Sequence, residues 1–266
     1  MDGLRTSYLT VGQGPTLLLL HSGEYGASSE LSWEYNLDTL GERFTVVAPD
    51  WLGFGDSAKV FDFEAGTGRL VSHLQAFCHQ LGIANVPIIA TSLGATLALA
   101  DASAENPQLP AAAIVAICGG GDIASNEDVD ALFAYDGSLT AMKRLVQALF
   151  ADDRWADDAA YVARRHAQSV RPGAWECVAA PRFHSPDFDR QPRDPRTKPR
   201  YELISQPTLL IAGELDKIKP ASWAFDLSRR IPGSEALVVP NSGHFPHIER
   251  PDFVHSAIFN FLSRVL

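Results

Sequence analysis

Ile88-Ile89-Ala90-Thr91-Ser92-Leu93-Gly94-Ala95 is the stretch that decides how this chain is read. The apolar, β-branched run from Val86 to Ile89 predicts a buried strand, and Leu93 to Ala100 predicts a helix. Ser92 falls on the turn between them, with Ala90 and Gly94 two residues away on either side. A sharp strand-to-helix turn crowds backbone against backbone, so its flanking positions must be small. A serine placed there lifts its hydroxyl above the sheet edge, and the free N–H groups at the helix start face any oxyanion that develops. Ala90 departs mildly from the first glycine of a G-x-S-x-G pattern. Taken alone, the stretch also fits an ordinary serine N-cap, so a functional reading needs partners elsewhere in the chain.

Outward from Ser92 the pattern is strand alternating with helix. Tyr8 to Val11, Thr16 to Leu20 and Phe44 to Ala48 predict strands, with helices over Trp33 to Leu40 and Leu70 to Leu81. On the other side, Ala111 to Ala116, Pro207 to Ala212 and Ala236 to Val239 predict strands, with helices over Ser222 to Arg230 and Phe253 to Val265. Such alternation gives an α/β protein with a mostly parallel, doubly wound sheet. From Ile123 to about Arg200 the buried strands stop. Helical segments (Leu139 to Phe150, Asp157 to Ser169) and a Pro/Arg-rich stretch from Pro181 to Arg200 take their place. The expected organisation is a core domain of residues 1–122 and 201–266, with a helical cap, 123–200, inserted over the sheet edge.

Composition narrows the function classes. The chain has 266 residues, 46% of them hydrophobic, enough for one sizeable core. A net charge of −10 argues against a nucleic-acid partner and means that an anionic substrate needs a local cation. Cys78, Cys118 and Cys177 are scattered and suggest neither a disulfide framework nor a metal site. The other histidines and acids also lack ligand spacing, so no metal and no cofactor is expected. The Gly-rich loop Pro49 to Ser57 has no phosphate-binding lysine and does not fit G-x-G-x-x-G, which excludes a nucleotide reading. No basic-then-apolar leader and no apolar run of spanning length is present, so the expectation is a cytoplasmic protein with a small-molecule substrate and no membrane partner. A homodimer is left open.

Two more residues fall at strand ends. Asp216 follows the strand ending at Ala212, and His244 follows the one ending at Val239. The chain order Ser92, Asp216, His244 is that of the α/β-hydrolase fold. A serine hydroxyl is a weak nucleophile that needs an adjacent base, histidine titrates near neutrality, and an aspartate fixes the histidine tautomer. These three are the expected catalytic residues. The small-residue loop after Leu20 points to the backbone N–H of Gly23 as an oxyanion donor, and His21 is expected to brace that loop.

The chain resembles the α/β-hydrolase superfamily over essentially its whole length. Within it, the chain is similar to the meta-cleavage-product hydrolases, which cut a carbon–carbon bond in ring-fission products of aromatic catabolism. The residues that carry this are Ala48-Pro49-Asp50-Trp51-Leu52-Gly53-Phe54-Gly55, Gly243-His244-Phe245-Pro246-His247-Ile248-Glu249, and the cap residues Ala163-Arg164-Arg165-His166-Ala167 with Arg171-Pro172-Gly173-Ala174. The resemblance implies an oxyanion hole from Gly23 and Leu93, and a substrate carboxylate held by Arg165, with Arg164 the adjacent rival. It also implies that Phe245 contacts substrate. Glu24-Tyr25 stands where that family usually has Gly-Pro, so both are expected at the pocket mouth, and a carboxylate there would repel an anionic substrate. A carboxylesterase or lactonase with the same triad is the alternative, and a non-catalytic ligand receptor on this fold is the third reading. Serine at the nucleophile position argues against the dehalogenases and epoxide hydrolases, which use aspartate.

Overall fold

The computed structural model describes residues 3–183, 198–220 and 222–266. Among these, seven strands form one sheet: β1 (Tyr8–Val11), β2 (Thr16–Leu20), β3 (Thr45–Pro49), β4 (Val86–Thr91), β5 (Ala111–Ile117), β6 (Thr208–Gly213) and β7 (Glu235–Val239). Their spatial order is β1-β3-β2-β4-β5-β6-β7. β1 pairs antiparallel with β3, and every other neighbour pair is parallel. Leu20 lies opposite Ala90, Ala90 opposite Ala116, and Ile117 opposite Ile211. This register brings the C-terminal ends of β2, β4, β5 and β6 level, which is where an open parallel sheet carries its ligand site.

The central strands are apolar apart from a threonine at one end of β2, β4 and β6, because both faces are covered. On one face Leu18, Leu20, Ile88 and Ala90 pack with helices α3 (Gly68–Gln80), α4 (Leu93–Ala102) and α10 (Trp223–Ser228), through Leu74, Phe77, Leu99 and Leu227. On the other, Leu17, Leu19, Ile89, Val115 and Ile211 pack with α11 (Pro251–Val265), through Val254, Ile258 and Phe261. The alternation follows from the two-residue period of a strand. Each fully buried Leu, Ile or Val contributes about 1.5–3 kcal/mol of transfer free energy.

Two helices were expected to run further than they do. Trp33 to Leu40 is not one helix but α1 (Ser29–Trp33) and α2 (Leu37–Gly41), with a break at Asn36. The buried Asn36 side chain donates to the His247 carbonyl at 3.1 Å and meets His255 Nε2 at 3.0 Å, so tertiary hydrogen bonds hold it out of helical geometry. Asp157 to Ser169 likewise divides into α7 (Arg154–Asp157) and α8 (Ala159–Ser169). Asp158 has extended ψ, and its carboxylate caps the N–H groups of Ala160 and Tyr161.

Between β5 and β6 the described residues hold no strand. They form α5 (Glu127–Phe133), α6 (Leu139–Leu149), α7, α8 and α9 (Ala174–Ala179), followed by 3₁₀ turns. Met142, Leu145, Val146, Phe150, Trp155 and Tyr161 of this segment pack with Tyr25, Ile218 and Phe245. Those three follow β2, β6 and β7, so the helical segment sits over the C-terminal loops of the sheet. Most of the Pro/Arg-rich stretch, residues 184–197, lies outside the described residues.

Candidate active site

Ser92 caps the turn from β4 into α4 with φ 50° and ψ −111°. A non-glycine residue in this region is strained, and the surrounding packing must hold it there. Two observations show how. A Cβ on Gly94 would lie 2.6 Å from the Leu20 carbonyl, so the flank must be small. Thr96 Oγ1 donates to the Ser92 carbonyl at 2.9 Å and accepts from the Gly120 N–H at 2.8 Å, tying the turn to the loop after β5.

His244 Nε2 lies 3.0 Å from Ser92 Oγ, and His244 Nδ1 lies 2.8 Å from Asp216 Oδ2. Three residues separated by up to 152 positions therefore form one continuous hydrogen-bond line. Burial alone would raise the Asp216 carboxyl. The facing His244 ring and the N–H groups of Ile218 and Lys219 outweigh it and hold Asp216 below its ordinary value. His244 itself is fixed by its loop. Its N–H donates to the Leu149 carbonyl at 2.8 Å, and Glu249 accepts from the N–H groups of Gly243 and Ala151. Glu249 was not singled out from the sequence as a brace, because its partner Ala151 is distant in the chain.

Leu93 is the first residue of α4, so no carbonyl of that helix can take its N–H. Gly23 approaches it closely: a Cβ on Gly23 would meet Leu93 Cδ2 at 2.5 Å. Gly23 thus packs against the Leu93 side chain, next to Ser92. His21 braces the Gly23 loop, with Nδ1 at 2.6 Å from the Ser22 carbonyl and Nε2 accepting from the Trp51 N–H at 3.0 Å.

Ser92 and His244 open on a cavity of about 370 Å³. Its wall is largely apolar, with Leu52, Phe54, Phe61, Leu132 and Val178 among its residues. Gly23, Glu24, Tyr25 and Leu93 all line it, together with two cations that sequence reasoning passed over, Arg182 and Lys219. The signal for Lys219 was available: a lysine three residues after Asp216, between Ile218 and Pro220.

Arg165 and Phe245 depart from expectation, since neither is among the cavity-lining residues. Arg165 is wholly buried. Its Nη1 donates to Glu24 Oε1 at 2.6 Å and its Nε to Tyr161 Oη at 2.9 Å. The guanidinium carbon lies 5.1–5.9 Å from the ring centroids of Tyr161, Phe245 and Phe150. Burial opposes the charge, but Tyr161 and Glu24 raise the guanidinium above its ordinary value and keep it ionised. Nη2 has no partner among the described residues. Glu24, not a ligand, therefore neutralises the expected anchor. Phe245 is buried because it packs on Phe150 and His244. Arg164 instead pairs with Glu34 on the surface.

Cys118, Asp216 and His244 place donor atoms within 4.8 Å of one another. This set is poorly suited to a metal. Both His244 nitrogens already face Ser92 and Asp216, and burial holds the Cys118 thiol well above its ordinary value, so it stays protonated. Among the described residues no helix is long and apolar enough to cross a membrane.

Comparison with known proteins agrees with this architecture. Residues 17–257 match the sequence profile of the alpha/beta hydrolase family. The 2-hydroxy-6-oxo-6-(2'-aminophenyl)hexa-2,4-dienoic acid hydrolase of Metapseudomonas resinovorans is 30% identical over 98% of this chain and 89% of its own length. A solved serine hydrolase involved in carbazole degradation superposes with a TM-score of 0.80 at 27% identity, covering 98% of this chain and 96% of that one. A meta-cleavage product hydrolase from Pseudomonas fluorescens shares the fold, with a TM-score of 0.86 at 22% identity over 99% and 96% of the two chains.

Proposed function

The chain belongs to the alpha/beta hydrolase family, and from that premise we propose that it hydrolyses a carbon–carbon bond in a 2-hydroxy-6-oxo-dienoate, the type of ring-fission product formed in aromatic catabolism. The observation that carries the reading is the Ser92–His244–Asp216 line opening on an apolar cavity. Full-length similarity to a dienoic acid hydrolase supports the substrate type.

In this reading the dienol first becomes a ketone, which makes the bond beside the second carbonyl cleavable. Ser92 Oγ attacks that carbonyl while His244 Nε2 takes its proton. The N–H groups of Gly23 and Leu93 hold the oxyanion, and Asp216 stabilises the imidazolium. Collapse breaks the carbon–carbon bond. The electron pair leaves on the dienoate carbon, which receives the proton from His244. Water, activated by the same histidine, then releases the acyl group from Ser92. No cofactor takes part. The helical segment between β5 and β6 acts as the cap that keeps bulk water from the acyl-enzyme.

A second reading, a carboxylesterase or lactonase with the same triad, is favoured by one observation: Glu24 already neutralises Arg165, so that arginine is not free to select an anion. Parallel kcat/KM measurements on a ring-fission dienoate and on a matched neutral ester separate the two. The C–C hydrolase reading expects the dienoate to be the better substrate. Turnover of the ester alone would replace it with the second reading.

A further inference from the structure

We propose that Lys219 forms the carboxylate-binding subsite of this cavity, on the flank of Ser92 opposite Arg165.

The strand order sets the geometry. β4, which delivers Ser92, lies between β2 and β5. Gly23 and Glu24 follow β2, so the Glu24–Arg165 pair belongs to one flank. Lys219 follows β6, and its Nζ donates to the carbonyls of Gly120 and Asp122, in the loop after β5. It therefore belongs to the other flank.

The two flanks differ in charge balance. Arg165 and Glu24 cancel. Lys219 is buried at 6% exposure, yet among the described residues no carboxylate forms an ion pair with it. Asp216 acts on it through space, but that carboxylate is committed to His244. An ammonium has three donors, and the two backbone carbonyls use two of them. Arg182, the other cavity cation, is exposed and bonded to Tyr25 Oη and the Phe133 carbonyl. A buried cation without a paired anion is costly, and a ligand carboxylate relieves that cost. In a chain of net charge −10, it is also the feature that would admit an anion past an unfavourable long-range field.

This subsite rests on the proposed hydrolase reading for its meaning, since it orients the substrate with its carboxylate toward β5 and β6. Its test does not depend on turnover. The probe is sorbate (hexa-2,4-dienoate), a non-hydrolysable dienoate anion, titrated calorimetrically and by fluorescence. Lys219 Nζ lies 5.8 Å from the Trp223 ring centroid, so occupancy should perturb Trp223 emission. The intact chain is expected to bind sorbate, and Lys219→Met is expected to weaken binding by about tenfold or more, the scale of one charge-assisted hydrogen bond. Lys219→Arg keeps the charge and should retain most of the affinity. Lys219→Gln removes the charge while keeping an N–H donor and serves if the methionine variant does not fold. Absence of sorbate binding by the intact chain overturns the proposal. So does binding unaffected by loss of the Lys219 charge, or binding lost instead in an Arg165→Met variant shown to be folded. Sorbate binding at Lys219 without cleavage of any dienoate or ester would leave the subsite standing and remove the hydrolase reading.

Discussion

Arg165 Nη1 and Glu24 Oε1 lie 2.6 Å apart, across 141 positions of sequence, and join the loop that follows Gly23 to helix α8. Both side chains are buried, at 0% and 5% exposure. Burial decides what the pair does. Each buried charge is compensated by the other, so removing one leaves an uncompensated charge.

The first prediction follows. Glu24→Ala and Arg165→Met should each destabilise the chain by about 3–5 kcal/mol, and the double replacement should cost less than the sum. Urea unfolding of the four chains of the cycle measures this. Additive costs would mean that the pair is not coupled.

Stability should also fall on mild acidification. Burial first, then the neighbouring His244, pulls the His247 ring down to about 3 from an ordinary 6.5. Above pH 6.5 the ring is neutral folded and unfolded, and nothing is lost. Below it the unfolded chain binds a proton that the folded chain refuses. Stability then drops by about 1.4 kcal/mol per pH unit toward pH 3. Burial lowers His21 and His255 as well, which adds to the same trend. The urea midpoint at pH 7.5, 6 and 5 reports it, and His247→Phe should flatten the slope.

Thiol labelling checks the cavity wall. Burial raises Cys78 to about 11 and Cys118 well above its usual value, and both are enclosed. Cys177 is also raised; it and Cys118 both border the cavity, but Cys177 is only half-buried where Cys118 is wholly buried. Mass spectrometry after iodoacetamide at pH 8 should find Cys177 modified first, and sorbate should slow that reaction. Faster labelling of Cys118 would contradict the packing behind Asp216.

The strands were legible because central parallel strands are apolar on both faces and need no partner to be recognised. The Ser92–His244–Asp216 line was legible because each member stands just beyond such a strand. What sequence left hidden is tertiary. The break at Asn36 depends on His247 and His255, which lie more than two hundred residues away. Helix α5 opens with Glu127, Asp128 and Asp130, which favour its N-terminus but mask its short apolar face. Arg165 looked like a free cation because Glu24 becomes its neighbour only through folding. The contacts of Lys219 with the carbonyls of Gly120 and Asp122 likewise arise only through folding.

The central claim is that Ser92 is the nucleophile for a carbon–carbon cleavage. Single-turnover absorbance on a ring-fission dienoate, with enzyme in excess, tests it most directly. The intact chain should bleach the dienoate and release an acid and a shorter dienoate in equal amounts. Ser92→Ala should fold, bind the dienoate and cleave it about 10³-fold more slowly or worse. An intact chain that leaves the dienoate unchanged, or a Ser92→Ala variant that cleaves it at the original rate, would contradict the account.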